Sequence, residues 1–229
     1  MPECYGPDPY DPNFFLPIPE AMLESDRVRL IPFIPSQHMK EYAEQAAAHP
    51  ELHRYFLLDL SSQDKILTHV ELEIRRAPTS ICFAIIDKAR GGAHAGVIGL
   101  LNASPLQMTV EIGWVVVFPA FQRTYVTTNA VGLLLNYCLE LPSAPERPGL
   151  GYRRVQWTAH AENERSRVAA KRMGFKEEAV MRWIYLDVEE RDDGEKDVRN
   201  VGDSVMLSVC AEDWEKGGRE LVLKMIGRE

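Results

Sequence analysis

Apolar and polar positions along the chain change period several times, and each change marks an element. Residues 27–34 alternate charged Arg27 and Arg29 with apolar Val28, Leu30 and Phe33. This period of two predicts a strand, and Pro32, with no N–H for a ladder, puts it at a sheet edge. Residues 37–48 predict a helix with Ser36 as its cap, ended by His49-Pro50. A second helix, capped at Ser61 or Ser62, runs to about Arg76 with Ile66, Val70 and Ile74 on one face. Between the two, Tyr55, Phe56, Leu57 and Leu58 put too much apolar surface in a loop for it to be idle. Residues 80–87 and 95–101 are strands around the turn Arg90-Gly91-Gly92-Ala93, and Gly96 and Gly99 mark bulge positions in the second.

The pattern is densest between residues 109 and 174. Residues 110–118 are a β-branched and aromatic run with one charge, Glu111, and the run stops at Pro119. A helix over residues 126–140 follows, its apolar stripe passing through Ala130, Leu134 and Tyr137 to Leu141. Residues 153–160 alternate again. Asn163 then opens a helix over 164–173 that Gly174 closes, with Lys171 and Arg172 in its last turn and Phe175 folding back onto the cap. A charged run at 189–197 predicts a solvated hairpin tip, residues 204–210 return as a final strand, and a helix from Ala211 or Glu212, holding Trp214 and resuming near Arg219, closes the chain. Three antiparallel strands in a meander, then strand, helix, strand, helix and strand, make a mixed α/β sheet.

Residues 1–24 are different in kind. Pro2, Pro7, Pro9, Pro12, Pro17 and Pro19 exclude regular helix or central strand, while Tyr5, Tyr10, Phe14, Phe15, Leu16 and Ile18 are costly to leave in water. The expected organisation is an arm docked on a single domain of residues 25–229. A net charge of −8 argues against nucleic acid or an anionic membrane surface as partner, since both are bound by clustered Lys and Arg. Cys4, Cys82, Cys138 and Cys210 lie far apart, with no Cys-x-x-Cys pair, and the six histidines are scattered, so no metal site is predicted. Cys82 and Cys138, inside apolar runs, belong to the core. No apolar run approaches the ~20 residues of a membrane span, and no basic-then-apolar leader opens the chain, so a cytoplasmic protein is expected.

Two places carry candidate chemistry. The helix after Pro119 opens with N–H groups that have no intrahelical partner and with the positive end of its dipole. No Asp or Glu occurs between Pro119 and Leu139, while Arg123, Thr127, Thr128 and Asn129 stand nearby. An ordinary capped helix and a phosphate site both fit this pattern. Glu111, alone in its apolar strand with Gly113 on the same face, either pairs with a cation or has a raised pKa suited to proton removal.

The order of strand, Gln122-Arg123-Thr124-x-Val126-Thr127-Thr128-x-Ala130, helix, strand, and Asn163-Glu164-Arg165-Ser166-x-x-Ala169-x-Lys171-Arg172-Met173-Gly174-Phe175 resembles the Gcn5-related N-acetyltransferase (GNAT) superfamily, and within it the ribosomal-protein-alanine acetyltransferase (Rim) branch. The resemblance covers roughly residues 25–186. It implies a GNAT-like mixed, mostly antiparallel sheet of about seven strands flanked by about four helices and splayed centrally to admit acyl-CoA. It also implies transfer of acetyl from acetyl-CoA to a primary amine, on a small molecule or a protein N-terminus, by direct attack in a ternary complex without metal. The protein would be a monomer or homodimer.

By the same resemblance the pyrophosphate cradle is Gln122, Arg123, Thr124, Tyr125, Val126, Thr127 and Thr128. Tyr125 and Thr127 stand where the motif has small residues, so Tyr125 must point outward. Val115 and Val116 lie in the strand segment whose backbone would polarise the thioester. Asn163 would cap its helix and bond the pantetheine arm. Glu111 would be the general base and Ser166 the acid for the leaving thiolate, with His160 and Tyr185 as rivals. The alternative is a non-catalytic relative that binds acyl-CoA or regulates.

Overall fold

The computed structural model describes residues 2–19, 22–56, 58–145, 147–190 and 196–227. Its centre is a seven-stranded sheet in the order β1-β2-β3-β4-β5-β7-β6. The strands are β1 (Val28–Pro32), β2 (Ile81–Asp87), β3 (Ala93–Ser104), β4 (Thr109–Val117), β5 (Arg154–His160), β6 (Lys176–Glu190) and β7 (Lys196–Cys210). Neighbours run antiparallel except β4 and β5, which are parallel. Parallel neighbours need a crossover, and α3 (Tyr125–Leu139) supplies it. β1, with Pro32, is indeed an edge.

Helices cover both faces of the sheet. On one, α3 packs into a core with Ile98, Ile112, Val155, Trp157 and Leu207. On the other, α1 (Pro35–Ala48) and α2 (Gln63–His69), which continues as a π-helical stretch over Val70–Arg75, cover Cys82, Ala84, Val97, Trp114 and Val116. α4 (Glu164–Arg172) follows β5. α5 (Ala211–Asp213) passes through a π turn holding Trp214 into α6 (Arg219–Met225), as the pattern predicted.

Several boundaries differ from the sequence expectation for physical reasons. Ser36 does not cap α1. Pro35 occupies the first turn, and Ile34 N–H is satisfied by His38 Nδ1 at 2.9 Å. α3 begins one residue earlier than expected, at Tyr125, and is buried on nearly every side, because α6 packs on the flank away from the sheet. Leu141 lies beyond its end and is exposed. β7 starts at Lys196 instead of Ser204 and inserts between β5 and β6. The charged run read as a hairpin tip falls largely at 191–195, and Leu57 of the α1–α2 loop is likewise outside the described residues. Cys82 and Cys138 are buried free thiols.

The N-terminal residues lie against this body. Phe15 N–H donates to Pro78 O at 3.0 Å, Asn13 Nδ2 to Arg75 O at 3.0 Å, and the Tyr137 hydroxyl to Pro17 O. No helix among the described residues is long and apolar enough to cross a membrane.

Candidate active site

β4 and β5 pair only at Thr109 with Arg154, Val110 with Val155 and Glu111 with Gln156, and then part. The cause lies within β4. Gly113 opposes Gly99 on β3, but Val116 opposes Val97, so one extra residue is inserted between them. Trp114 absorbs it with φ +51, and its ring stacks on His69 at 4.5 Å and meets Phe56 at 4.9 Å. Gly96 across the bulge has φ +143, and a Cβ there would stand 2.1 Å from Val116 O, so only glycine fits.

Phe118 N–H bonds Ala95 O, and Val116 opposes Val97. Beyond the bulge the alternation therefore turns the backbone carbonyl of Val117 away from β3, toward the opening. Val116, grouped with Val115 by sequence, is committed to β3 and its side chain is buried.

Glu111 sits at the last paired position, at the floor of the gap. Its carboxylate accepts from the Thr158 hydroxyl of β5, and the place a side chain on Gly113 would take, 3.8 Å from Glu111 Oε1, is filled by Leu101, whose Cδ1 lies 2.7 Å from it. Burial pushes the Glu111 carboxyl above the usual carboxylate range, opposed by hydrogen bonds from Thr158 and Asn102. No cation pairs with it among the described residues, so of the two sequence readings the raised pKa is the one this strand produces.

Ser166 lies on the opposite face. Its Oγ accepts from Trp157 Nε1 at 3.0 Å, leaving the hydroxyl proton free to donate elsewhere. Asn163 Oδ1 accepts from Ser166 N–H at 3.2 Å, the capping role expected of it. Since Thr158 and Trp157 are adjacent on β5, their side chains leave opposite sides of the sheet. Glu111 and Ser166 thus flank the gap from its two faces. His160, further along β5, is held between the rings of Tyr55 and Tyr185, each at 5.5 Å. The consecutive residues Tyr55 and Phe56 therefore touch both diverging strands.

The loop into α3 turns through Pro119–Phe121, extends at Gln122 and reverses at Arg123, whose φ is +58. Gln122 Nε2 donates to Val117 O at 2.9 Å, closing the strand end. Arg123 is exposed. Thr124 is the N-cap: its Oγ1 accepts from Val126 N–H at 3.3 Å and donates to Phe121 O at 2.6 Å. Tyr125 and Thr127, in the first turn, keep N–H groups without an intrahelical acceptor. Val126 is buried, and the side chains of Thr127 and Thr128 are half-buried. Asn129 is drawn away, accepting from Ser25 Oγ at 2.8 Å. Tyr125, expected to point outward, is half-buried and lays its hydroxyl on the buried Asp87 carboxylate at 2.8 and 2.9 Å. This cradle of free amides, without an acidic side chain in the first turn, fits a diphosphate.

Thr158, Trp157, Asn102 and Asp87 were not singled out by sequence. Asp87, the charged end of an apolar strand, carried a visible signal, whereas Thr158 and Trp157 are ordinary members of an alternating run.

Residues 27–176 match the family model described as "Acetyltransferase (GNAT) domain". The fold and the gap agree, and the chain belongs to the GNAT acetyltransferase family, whose enzymes transfer acyl groups from acyl-CoA to amine acceptors. A probable acetyltransferase of this family from Chromobacterium violaceum is similar at 25% identity and TM-score 0.70, over 86% of this chain and 90% of that one. RimJ from Mycobacterium smegmatis, solved with CoA-disulfide, shares the fold at 18% identity and TM-score 0.65, covering 88% and 90%. Spermidine N-acetyltransferase from Vibrio cholerae, solved with CoA and spermine, does so at 12% identity and TM-score 0.60, covering 82% and 98%. No curated protein matches the chain.

Proposed function

We propose that this chain is an acetyl-CoA-dependent N-acetyltransferase of the Rim branch, acting on a primary amine by direct attack in a ternary complex. The observation that carries the reading is the position of Glu111 at the floor of the β4–β5 gap, with Ser166 on the opposite face. Acetyl-CoA supplies an activated acyl carbon. The residues do the rest.

The first-turn amides of α3, with Gln122, Arg123, Thr124, Tyr125, Val126, Thr127 and Thr128 shaping the loop, hold the diphosphate. Asn163 bonds the pantetheine arm through its Nδ2. Glu111, as carboxylate, takes a proton from the ammonium acceptor through water, and the free amine attacks the thioester carbonyl. The Val115 N–H polarises the carbonyl oxygen as charge develops there. Collapse expels the thiolate, Ser166 gives it a proton, and the proton shed by the new amide nitrogen restores the serine hydroxyl through solvent.

The acceptor enters from the α1–α2 face. Phe56, Trp114, Tyr55 and Tyr185 line it, burial holds His53 and His69 below the usual imidazole range, and the Arg54 guanidinium lies over the Tyr55 ring at 5.4 Å. The net charge of −8 supports a cationic amine as acceptor, either a small molecule or a protein N-terminus. We read residues 25–229 as one catalytic domain with residues 1–24 as its arm, working in the cytoplasm without a metal, as monomer or homodimer.

Calorimetry with acetyl-CoA, followed by thiol release across an amine library, tests this. Binding with turnover of at least one amine is the expected result. Binding without thiol release from any amine would make the chain an acyl-CoA-binding module, and no binding at high micromolar acetyl-CoA would remove the reading.

A further inference from the structure

Asp87 ends β2 with its side chain wholly buried, and among the described residues no lysine or arginine reaches it at hydrogen-bond distance; its ion-pair partner, Arg90 Nε, lies 3.7 Å away. A carboxylate is costly to bury unless donors surround it. Two do: Ala89 N–H at 3.0 Å and the Tyr125 hydroxyl, which bridges both carboxylate oxygens. The Arg27 guanidinium covers the Tyr125 ring at 5.1 Å. The β2–β3 turn grips the other end of the same loop, where Arg90 Nη1 donates to Ala120 O at 2.9 Å and lies over the Phe121 ring at 4.9 Å. Between these two grips stands Arg123 in the left-handed region, a conformation unfavourable for a non-glycine residue.

We infer that Asp87 and Tyr125 form a tether that holds the α3 entry loop in the shape that receives the diphosphate. Tyr125 is then a positioning residue, taking the place of the small side chain in the resembled motif. The tether does two things. It draws a bulky ring out of the path of an anion approaching the first turn of α3, and it fixes that turn so that its amides are aimed before the ligand arrives. The inference rests on the proposed acetyl-CoA binding.

The test measures acetyl-CoA affinity by calorimetry, and KM and kcat separately, for wild type, Tyr125→Phe, Tyr125→Gly, Asp87→Asn and the Tyr125→Phe/Asp87→Asn double variant. A hydrogen bond to a charged group corresponds to a loss of roughly tenfold. Tyr125→Phe should therefore weaken acetyl-CoA binding roughly tenfold, raise the acetyl-CoA KM in step, and leave kcat at saturation and the amine KM within about twofold. Tyr125→Gly, despite matching the small-residue pattern, should bind more weakly than wild type. The double variant should be no worse than the weaker single, because both break one bond.

Tyr125→Phe binding as tightly as wild type, or Tyr125→Gly binding more tightly, would overturn the tether. Tyr125→Phe alone decides the matter if Asp87→Asn does not fold. Absence of acetyl-CoA binding by the wild type would instead remove the functional reading, and the tether with it.

Discussion

Glu111 owes its chemistry to where the strand puts it. Burial disfavours its charged form, so its pKa is raised, and the acid limb of kcat/KM should lie above the ordinary carboxylate value of about 4.3, activity rising as the group deprotonates. Glu111→Gln should flatten that limb and lower kcat/KM by roughly 10²-fold with acetyl-CoA affinity unchanged, read from pH–rate profiles and calorimetry. The linkage has the matching sign. The folded state holds this proton more tightly than the unfolded one, so ionisation costs stability above the unfolded pKa, and Glu111→Gln should raise the Tm at pH 7. Ser166→Ala should cost about tenfold or less in kcat, since a thiol with pKa near 8.5 is already a competent leaving group. Glu111 was legible because one charge stood in an apolar run. Thr158 was not, because its partnership with Glu111 exists only after β4 and β5 pair.

The elements divide in the same way. β1 to β5, α2, α3 and α4 were readable from period, caps and proline, since those signals are local. The place of β7 between β5 and β6 was not, because pairing order depends on which strands can share a core and no local pattern encodes it. Nor was the all-round burial of α3, where Gly132 lies against α6. A Cβ there would stand 2.6 Å from Ile226 Cγ2, so Gly132→Ala should destabilise by roughly 1–3 kcal/mol in urea unfolding, offset in part by the better helix propensity of alanine. Thr124→Ala removes the α3 cap and should cost about 1 kcal/mol by the same measurement.

At the scale of the whole molecule, acid sensitivity gathers at Glu71. Its side chain is buried and bonded by Arg75 Nη2 at 2.6 Å and Arg76 Nε at 2.9 Å, and these arginines hold its carboxyl below the usual range. A depressed carboxylate pKa contributes stability above the unfolded value of about 4.3 and loses it as pH falls through the folded one. Glu71→Gln should therefore lower Tm at pH 7 and narrow the gap to wild type as the buffer is acidified below about 4. The same helix end receives the N-terminal residues through the Asn13 bond to Arg75 O, so loss of Glu71 should also expose residues 10–16 to faster hydrogen exchange.

The slot between β4 and β5 has a simple origin in the count of amino acids. With Val115 deleted, Trp114 alone would stand opposite Ile98 while Val116 kept its place opposite Val97, the left-handed turn at Trp114 would no longer be needed, and β4 would be free to zip along β5 to its end. A slotted sheet and a seamless one would then differ by a single codon, and the width of that codon is what separates a scaffold with room for a thioester from one with none.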